Sequence, residues 1–220
     1  MTLIAGVDDA GRGPVIGPLV IAGVLIHDHQ SSSLRALGVK DSKALTPNQR
    51  TRLCPEIIKL AIKYAVVELS PSEVDEIVLK GKKLHKLNWL EAKAMADVIS
   101  KLKPEVAYVD ASDVNEERFA QQISEMMSFK VKLISEHHAD ANYPVVSAAS
   151  IIAKVHRDES VSQLRRRYGD FGSGYTSDPK TRKFLSNWIR KKEPLPDFVR
   201  KSWKTIRQLA EKEGQQSLKQ

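Results

Sequence analysis

Leu3-Ile4-Ala5-Gly6-Val7-Asp8-Asp9-Ala10-Gly11-Arg12-Gly13-Pro14 is the stretch on which the fold turns. An apolar run ends in two adjacent acids, and two glycines then bracket one arginine. The run reads as a β-strand over 3–8. An acid inside such a segment is costly unless a cation or hydrogen bonds compensate it. A Gly-Arg-Gly turn lets backbone N–H groups and a guanidinium come close to an anion. Two readings fit: a metal-and-phosphate site at a strand end, or a tight turn with two solvated acids.

Working outward, 19–27 reads as a second strand, and its short Gly/Pro-rich connection makes it a neighbour of the first. Thr46-Pro47-Asn48-Gln49 supplies an N-cap, a proline in the first turn and a capping-box glutamine. Pro55 falls inside the helix that follows, which predicts a kink or a split there. A short strand covers 65–69, and a weak helix 72–79. A helix over 88–102 is expected to be capped by Asn88. A strand over 106–110, a helix over 115–127 and a strand over 131–135 come next. A long helix spans 145–167, with Gly169 just past its end. The glycines of 172–175 suggest a flexible loop, and Asp178-Pro179 opens another helix. Pro194 and Pro196 mark a stiff linker before a final helix over 197–211. Strands that begin as neighbours and then alternate with helices imply an α/β sheet, partly antiparallel and partly parallel. The expected organisation is one domain over 1–178, a C-terminal helical appendage over 179–212, and a disordered tail over 213–220.

A chain of 220 residues suits one large domain, or one domain with an appendage. The net charge of +8 and pI near 9.5 point to a polyanionic partner, most often nucleic acid. The single cysteine, Cys54, excludes an intrachain disulfide and a cysteine-based zinc site, and suits a reducing compartment. The longest apolar stretch, 14–26, is broken by Gly17, Pro18 and Gly23 and is too short for a bilayer. The N-terminus lacks the basic segment of a signal peptide. A cytoplasmic location is the expectation.

Acids recur at strand ends. Asp8 and Asp9 close the first strand, Asp110 closes 106–110, and Asp140 follows 131–135. Acids so placed can converge on one edge of a sheet. Two carboxylates about 4 Å apart repel by roughly 4 kcal/mol at an effective dielectric near 20. Divalent cations remove that cost, and all-oxygen ligation favours Mg²⁺ or Mn²⁺. Two such ions can activate water and stabilise a leaving oxygen in phosphodiester hydrolysis. Asp97 and Asp113 read instead as cap or surface acids. Adjacent His137 and His138 point apart, and no cysteine completes a zinc set. Arg165-Arg166-Arg167 reads as a solvated helix end. The Gly-Arg-Gly turn lacks the Gly-Lys-Ser/Thr of a P-loop and the spacing of a dinucleotide fingerprint.

Over 4–206 the chain resembles the ribonuclease HII family in its archaeal form. The resemblance rests on Asp8-Asp9-Ala10-Gly11-Arg12-Gly13-Pro14, Lys40-Asp41-Ser42-Lys43, Tyr108-Val109-Asp110 and His138-Ala139-Asp140. It extends through the Pro144 to Lys154 run, Gly172-Ser173-Gly174-Tyr175-Thr176-Ser177-Asp178-Pro179 and Trp203-Lys204-Thr205. It implies a ribonuclease H-like mixed five-stranded sheet flanked by helices, and a two-metal endonuclease. The implied reaction cuts the RNA strand of RNA/DNA hybrids and cuts 5′ to ribonucleotides embedded in duplex DNA, leaving 3′-hydroxyl and 5′-phosphate ends. The family's metal acids fall on Asp8, Asp9, Asp110 and Asp140. Its ribose-reading turn falls on Gly11, Arg12 and Gly13, its sugar-packing tyrosine on Tyr175, and backbone-contacting positions on Ser42 and Lys43. The 2′-hydroxyl is what separates RNA from DNA at that point.

Two residues depart from the family. Asp9 stands where glutamate is usual, and His138 stands where lysine is usual before the last acid. The first shortens a metal-site side chain, and the second replaces the ammonium of a lysine by an imidazole. The tail Gln215-Gln216-Ser217-Leu218 has the opening of a sliding-clamp-binding peptide without its aromatic pair, and a plain polar tail also fits. One compact domain points to a monomer. The alternatives are another nuclease on the same fold, resolvase- or exonuclease-like, or a weakly active hybrid-binding protein because of Asp9.

Overall fold

A computed structural model of the chain describes residues 1–39, 45–80 and 86–217. In chain order its elements are β1 (Leu3–Ala10), β2 (Leu19–His27), α1 (Ser31–Ala36), α2 (Pro47–Leu60), β3 (Lys63–Leu69), α3 (Pro71–Lys80) and α4 (Lys86–Leu102). They continue with β4 (Val106–Asp110), α5 (Glu116–Glu125), β5 (Lys132–Glu136), α6 (Ala139–Asn142), α7 (Pro144–Tyr168), α8 (Pro179–Arg190) and α9 (Lys204–Ser217). The five strands form one sheet in the order β3-β2-β1-β4-β5. β1 runs antiparallel to β2 and parallel to β4, and β4 is parallel to β5. This is the mixed sheet that the strand pattern implied. Among the described residues no helix is long and apolar enough to cross a membrane.

The chain divides into two compact units. The first is Met1–Ala10, Val20–Glu68 and Lys83–His156; the second is Gly11–Leu19, Leu69–Lys82 and Arg157–Gln220.

The core of the first unit follows the two-residue period of its strands. Ile4 and Ala10 of β1 share a face with Ile26, Val24, Ala22 and Val20 of β2. Val145, Val146, Ala149 and Ile152 of α7 cover that face. Gly6 lies on it too, and a Cβ there would land in the backbone of Val145 and Val146. On the opposite face a Cβ at Gly23 would overlap the side chains of Val98 and Leu102 of α4. Glycine is thus required on both faces, where helices press against strands.

The second unit has its own core of Val15, Ile16, Val161, Phe171, Leu185, Phe198, Val199 and Ile206. Phe171 and Phe184 pack with ring centroids 5.7 Å apart, and Tyr168 and Phe198 with 4.4 Å. Phe184 and Trp188, one turn apart on α8, meet at 5.7 Å.

Several local expectations are corrected. α2 is not split at Pro55, and Cys54 and Ile57 are buried beside it. Packing on that side outweighs the loss of one backbone hydrogen bond. α4 begins at Lys86, so Asn88 is not its cap; the Asn88 amide instead donates to Asp113 at 2.8 Å. The last helix starts at Lys204 rather than 197, because 198–200 bonds to the 15–17 segment. The Gly17 N–H donates to the Phe198 carbonyl at 3.0 Å, and the Arg200 N–H to the Val15 carbonyl at 2.8 Å. Asp113 is no surface acid. It is 1% exposed and accepts from Asn88, from the Asn115 N–H at 2.9 Å and from the Arg118 guanidinium.

This packing makes two substitutions informative. Gly6→Ala forces α7 off the strand and costs about 3 kcal/mol, the upper range for overpacking, read as a lower urea midpoint. For Asp113, burial opposes ionisation, but the Asn115 N–H, the Asn88 amide and Arg118 outweigh it and hold the carboxyl at about 2. A folded-state value below the unfolded one stabilises the fold above pH 4, and that stability is lost as pH falls through 4 toward 2. The loss is about 2 kcal/mol between those limits. Asp113→Asn removes that share of the acid sensitivity, which urea unfolding at pH 4 and pH 2 measures.

Candidate active site

Asp8 is 4% exposed near the end of β1. The parallel register pairs Val7 with Val109, so the next step sets Asp8 beside Asp110 on one face of the sheet. Asp110 Oδ1 accepts the Ala139 N–H at 2.8 Å, which ties the end of β4 to the start of α6. His138 precedes that helix in a left-handed conformation, φ 58°, and makes the sharp turn into it. Asp140 is the second residue of α6 and is buried. Asp9 alternates to the other side of β1 from Asp8. Its N–H donates to Asp8 Oδ1 at 2.7 Å, and its carboxylate accepts from the Ser112 hydroxyl at 3.4 Å.

Burial pushes the Asp8 carboxyl well above the usual carboxylate range, and the charges of Asp9 and Asp110 push it further. A hydrogen bond from Ser150 and the charge of Lys154 act against them. The Lys154 ammonium in turn donates to the Ser150 hydroxyl at 2.6 Å. Both stand on α7, one turn apart. Strand-end acids and turn motifs pointed to neither residue. The available signal was Ser147, Ser150 and Lys154 at helical spacing within an otherwise small, apolar half-helix.

The donor set is all oxygen, which suits a hard divalent cation. Among the described residues, no three His, Cys, Asp or Glu side chains stand ready to hold one ion unaided. Mg²⁺ is commonly bound by one or two carboxylates completed by water and substrate phosphate. His137 is engaged elsewhere. Its N–H donates to Glu116 at 2.6 Å, and its ring nitrogen lies 3.8 Å from the same carboxylate.

The Gly11–Gly13 turn belongs to the second unit. Gly11 has φ 91°, and a Cβ there would strike the Pro18 carbonyl oxygen. A Cβ on Gly13 would come within 3.3 Å of the Tyr175 ring. Tyr175 is 43% exposed, with the Arg157 guanidinium 6.0 Å from its ring centre. The loop carrying Tyr175 is tied down rather than flexible. Val15 N–H donates to the Gly174 carbonyl at 2.8 Å, Ser173 N–H to Asp178 at 2.7 Å, and Gly174 N–H to the buried Thr181 hydroxyl at 3.1 Å. Arg165 donates to the Gly172 carbonyl, so it is not merely a solvated helix end. The loop's glycines serve positive φ values, 78° at Gly172 and 83° at Gly174, rather than mobility. Ser42, Lys43 and Leu218 lie outside the described residues.

The ribonuclease HII family model matches residues 5–206. The ribonuclease HII of Pyrococcus furiosus is 47% identical over 210 residues, covering 94% of this chain and 91% of the relative. The crystal structure of ribonuclease H2 from Pyrococcus horikoshii superposes with a TM-score of 0.88 at 43% identity, covering 96% of this chain and 99% of the other. The ribonuclease HII of Archaeoglobus fulgidus, solved in complex with PCNA, gives 0.84 at 45% identity over 94% of this chain and 96% of the other. With the mixed sheet and its strand-end acids, these matches establish that the chain belongs to the ribonuclease HII family and is an endonuclease of the ribonuclease H type, acting on RNA/DNA hybrids.

Proposed function

We propose that Asp8, Asp9, Asp110 and Asp140 are the metal-binding carboxylates of this endonuclease, and that the Gly11–Arg12–Gly13 turn and Tyr175 recognise the ribose. The observation that carries the reading is Asp8, a buried carboxylate whose proton affinity is raised by burial and by two neighbouring carboxylates. A site that holds a proton for electrostatic reasons also attracts a dication, which relieves the same repulsion. Mg²⁺ or Mn²⁺ bound by these acids supplies Lewis-acid polarisation of the scissile phosphate and activation of water.

The chain's own residues supply the rest. Ser150 and Lys154 orient Asp8 and offset part of the negative charge. The Ala139 N–H occupies one oxygen of Asp110 and fixes the carboxylate plane. Asp140, carried on α6 directly after Ala139, completes the acid set. The turn offers small residues and backbone donors to a 2′-hydroxyl and its adjacent phosphate, with Tyr175 against the sugar at the RNA–DNA junction. Ser42, Lys43 and His138 contact the nucleic-acid backbone. The net charge of +8 suits a duplex substrate. The PCNA complex of the Archaeoglobus relative supports a sliding clamp as a partner, reached through the tail that carries Gln215 and Leu218. We place the enzyme in the cytoplasm, as a monomer.

The test compares a duplex bearing one ribonucleotide with an all-DNA duplex, in Mg²⁺ and in Mn²⁺, with the cut site mapped. Cleavage 5′ to the ribonucleotide is expected, and equal cutting of all-DNA would overturn the reading. Asp8→Asn should lower turnover by about a thousandfold, roughly 4 kcal/mol of barrier. Asp9→Glu should retain or raise Mg²⁺-dependent cleavage, since the longer side chain reaches further from its side of the strand. If Asp9→Ala cuts as fast as the parent enzyme, Asp9 has no metal role.

A further inference from the structure

We infer that Arg200 is a positioning residue for ribose recognition: with Trp203 it holds the Gly11–Gly13 turn by its carbonyls and thereby aims the Arg12 and Gly13 N–H groups. The inference rests on the assignment of that turn to the ribose.

Arg200 is 0% exposed and is the largest fully buried side chain among the described residues. A buried guanidinium is tolerated only where acceptors meet its N–H fork. Here Nη1 donates to the Arg12 carbonyl at 2.7 Å. Nη2 donates to the carbonyls of Gly11 at 2.6 Å and Gly17 at 3.1 Å. The Trp203 indole N–H donates to the Gly13 carbonyl at 3.3 Å, and its ring lies 4.9 Å from the Arg200 guanidinium carbon. Three successive carbonyls of the turn are therefore drawn toward one pair of side chains.

The peptide bonds here are trans, so each C=O points opposite to the next residue's N–H. Fixing the Gly11 carbonyl directs the Arg12 N–H away from Arg200, and fixing the Arg12 carbonyl does the same for Gly13. The third carbonyl precedes Pro14, which has no N–H. The turn thus presents two donors on its far side, in an orientation set by Arg200. A lysine, with a compact ammonium in place of a planar fork, cannot reach the same set of carbonyls.

Arg200 is itself braced. Asp75 of α3 is 8% exposed; its Oδ2 accepts the Lys201 N–H at 2.7 Å, and its Oδ1 accepts the Ser202 N–H at 2.9 Å. This two-point grip fixes the backbone from which Arg200 and Trp203 reach the turn.

The experiment measures Kd without metal, so that nothing is cut, for a labelled duplex with one ribonucleotide and for its all-DNA counterpart. Amide exchange at Val15 and Gly17, whose N–H groups bond to Gly174 and Phe198, is followed alongside. Arg200→Lys should shrink the ribose preference, the ratio of the two Kd values, by about tenfold, the worth of roughly one hydrogen bond. The all-DNA Kd should weaken by a smaller factor than the ribonucleotide Kd, and exchange at Val15 and Gly17 should quicken while that of α5 does not. Asp75→Asn should move the same quantities in the same direction by a smaller factor, and it decides the matter if Arg200→Lys does not fold. An unchanged ratio in a folded variant, or equal weakening on both duplexes, overturns the inference. If the parent protein shows no ribose preference, the ribose assignment fails. Amide exchange then judges the brace alone, and unchanged rates remove it as well.

Discussion

The first unit depends on how closely α7 comes to β1 at Gly6. No side chain fits between strand and helix there, because the backbone of Val145 and Val146 occupies the place of a Cβ. That contact fixes the start of α7 over the sheet face that also bears Asp8. Further along the same helix come Ser150 and Lys154, whose hydrogen bond and charge act on the Asp8 carboxylate. A packing constraint at one glycine thus sets the electrostatics of an acid two residues away on the strand.

The two units solve the problem of buried charge in opposite ways. In the first, the buried Asp8 carboxyl is pushed toward its neutral form by burial and by the charges of Asp9 and Asp110, against a hydrogen bond from Ser150 and the charge of Lys154. In the second, a buried cation is met by neutral carbonyl dipoles of a turn. The first arrangement holds the Asp8 carboxyl well above the usual carboxylate range. The second ties the carbonyls of Gly11, Arg12 and Gly17 to a single guanidinium.

The strands are legible in the sequence because their apolar runs are bounded by glycine, proline or acids, and Asp8 and Asp110 stand out as the residues at a strand's end. Asn88 and Asp113 mislead for one reason. A side chain at a plausible cap position looks the same in sequence whether it bonds its own helix or a neighbour 25 residues on. The 172–175 loop misleads because glycine signals either mobility or a positive φ, and only its partners, Val15, Asp178 and Thr181, reveal which. The start of α9 falls later than its periodicity implies because 198–200 commits its backbone hydrogen bonds to 15–17, a segment far away in the chain.

By itself, then, the sequence determined most of the elements and the mixed sheet, since periodicity and turn signals are local, and its motifs carried the resemblance to the family. Tertiary structure alone decided that Ser150 and Lys154 tune Asp8, that Arg200 and Trp203 hold the Gly11–Gly13 turn, and that Asp113 is a buried anchor. Each of these depends on which distant backbone or side chain meets a polar group. Hydrogen bonds and buried charges are satisfied across space, and spacing along the chain does not record their partners.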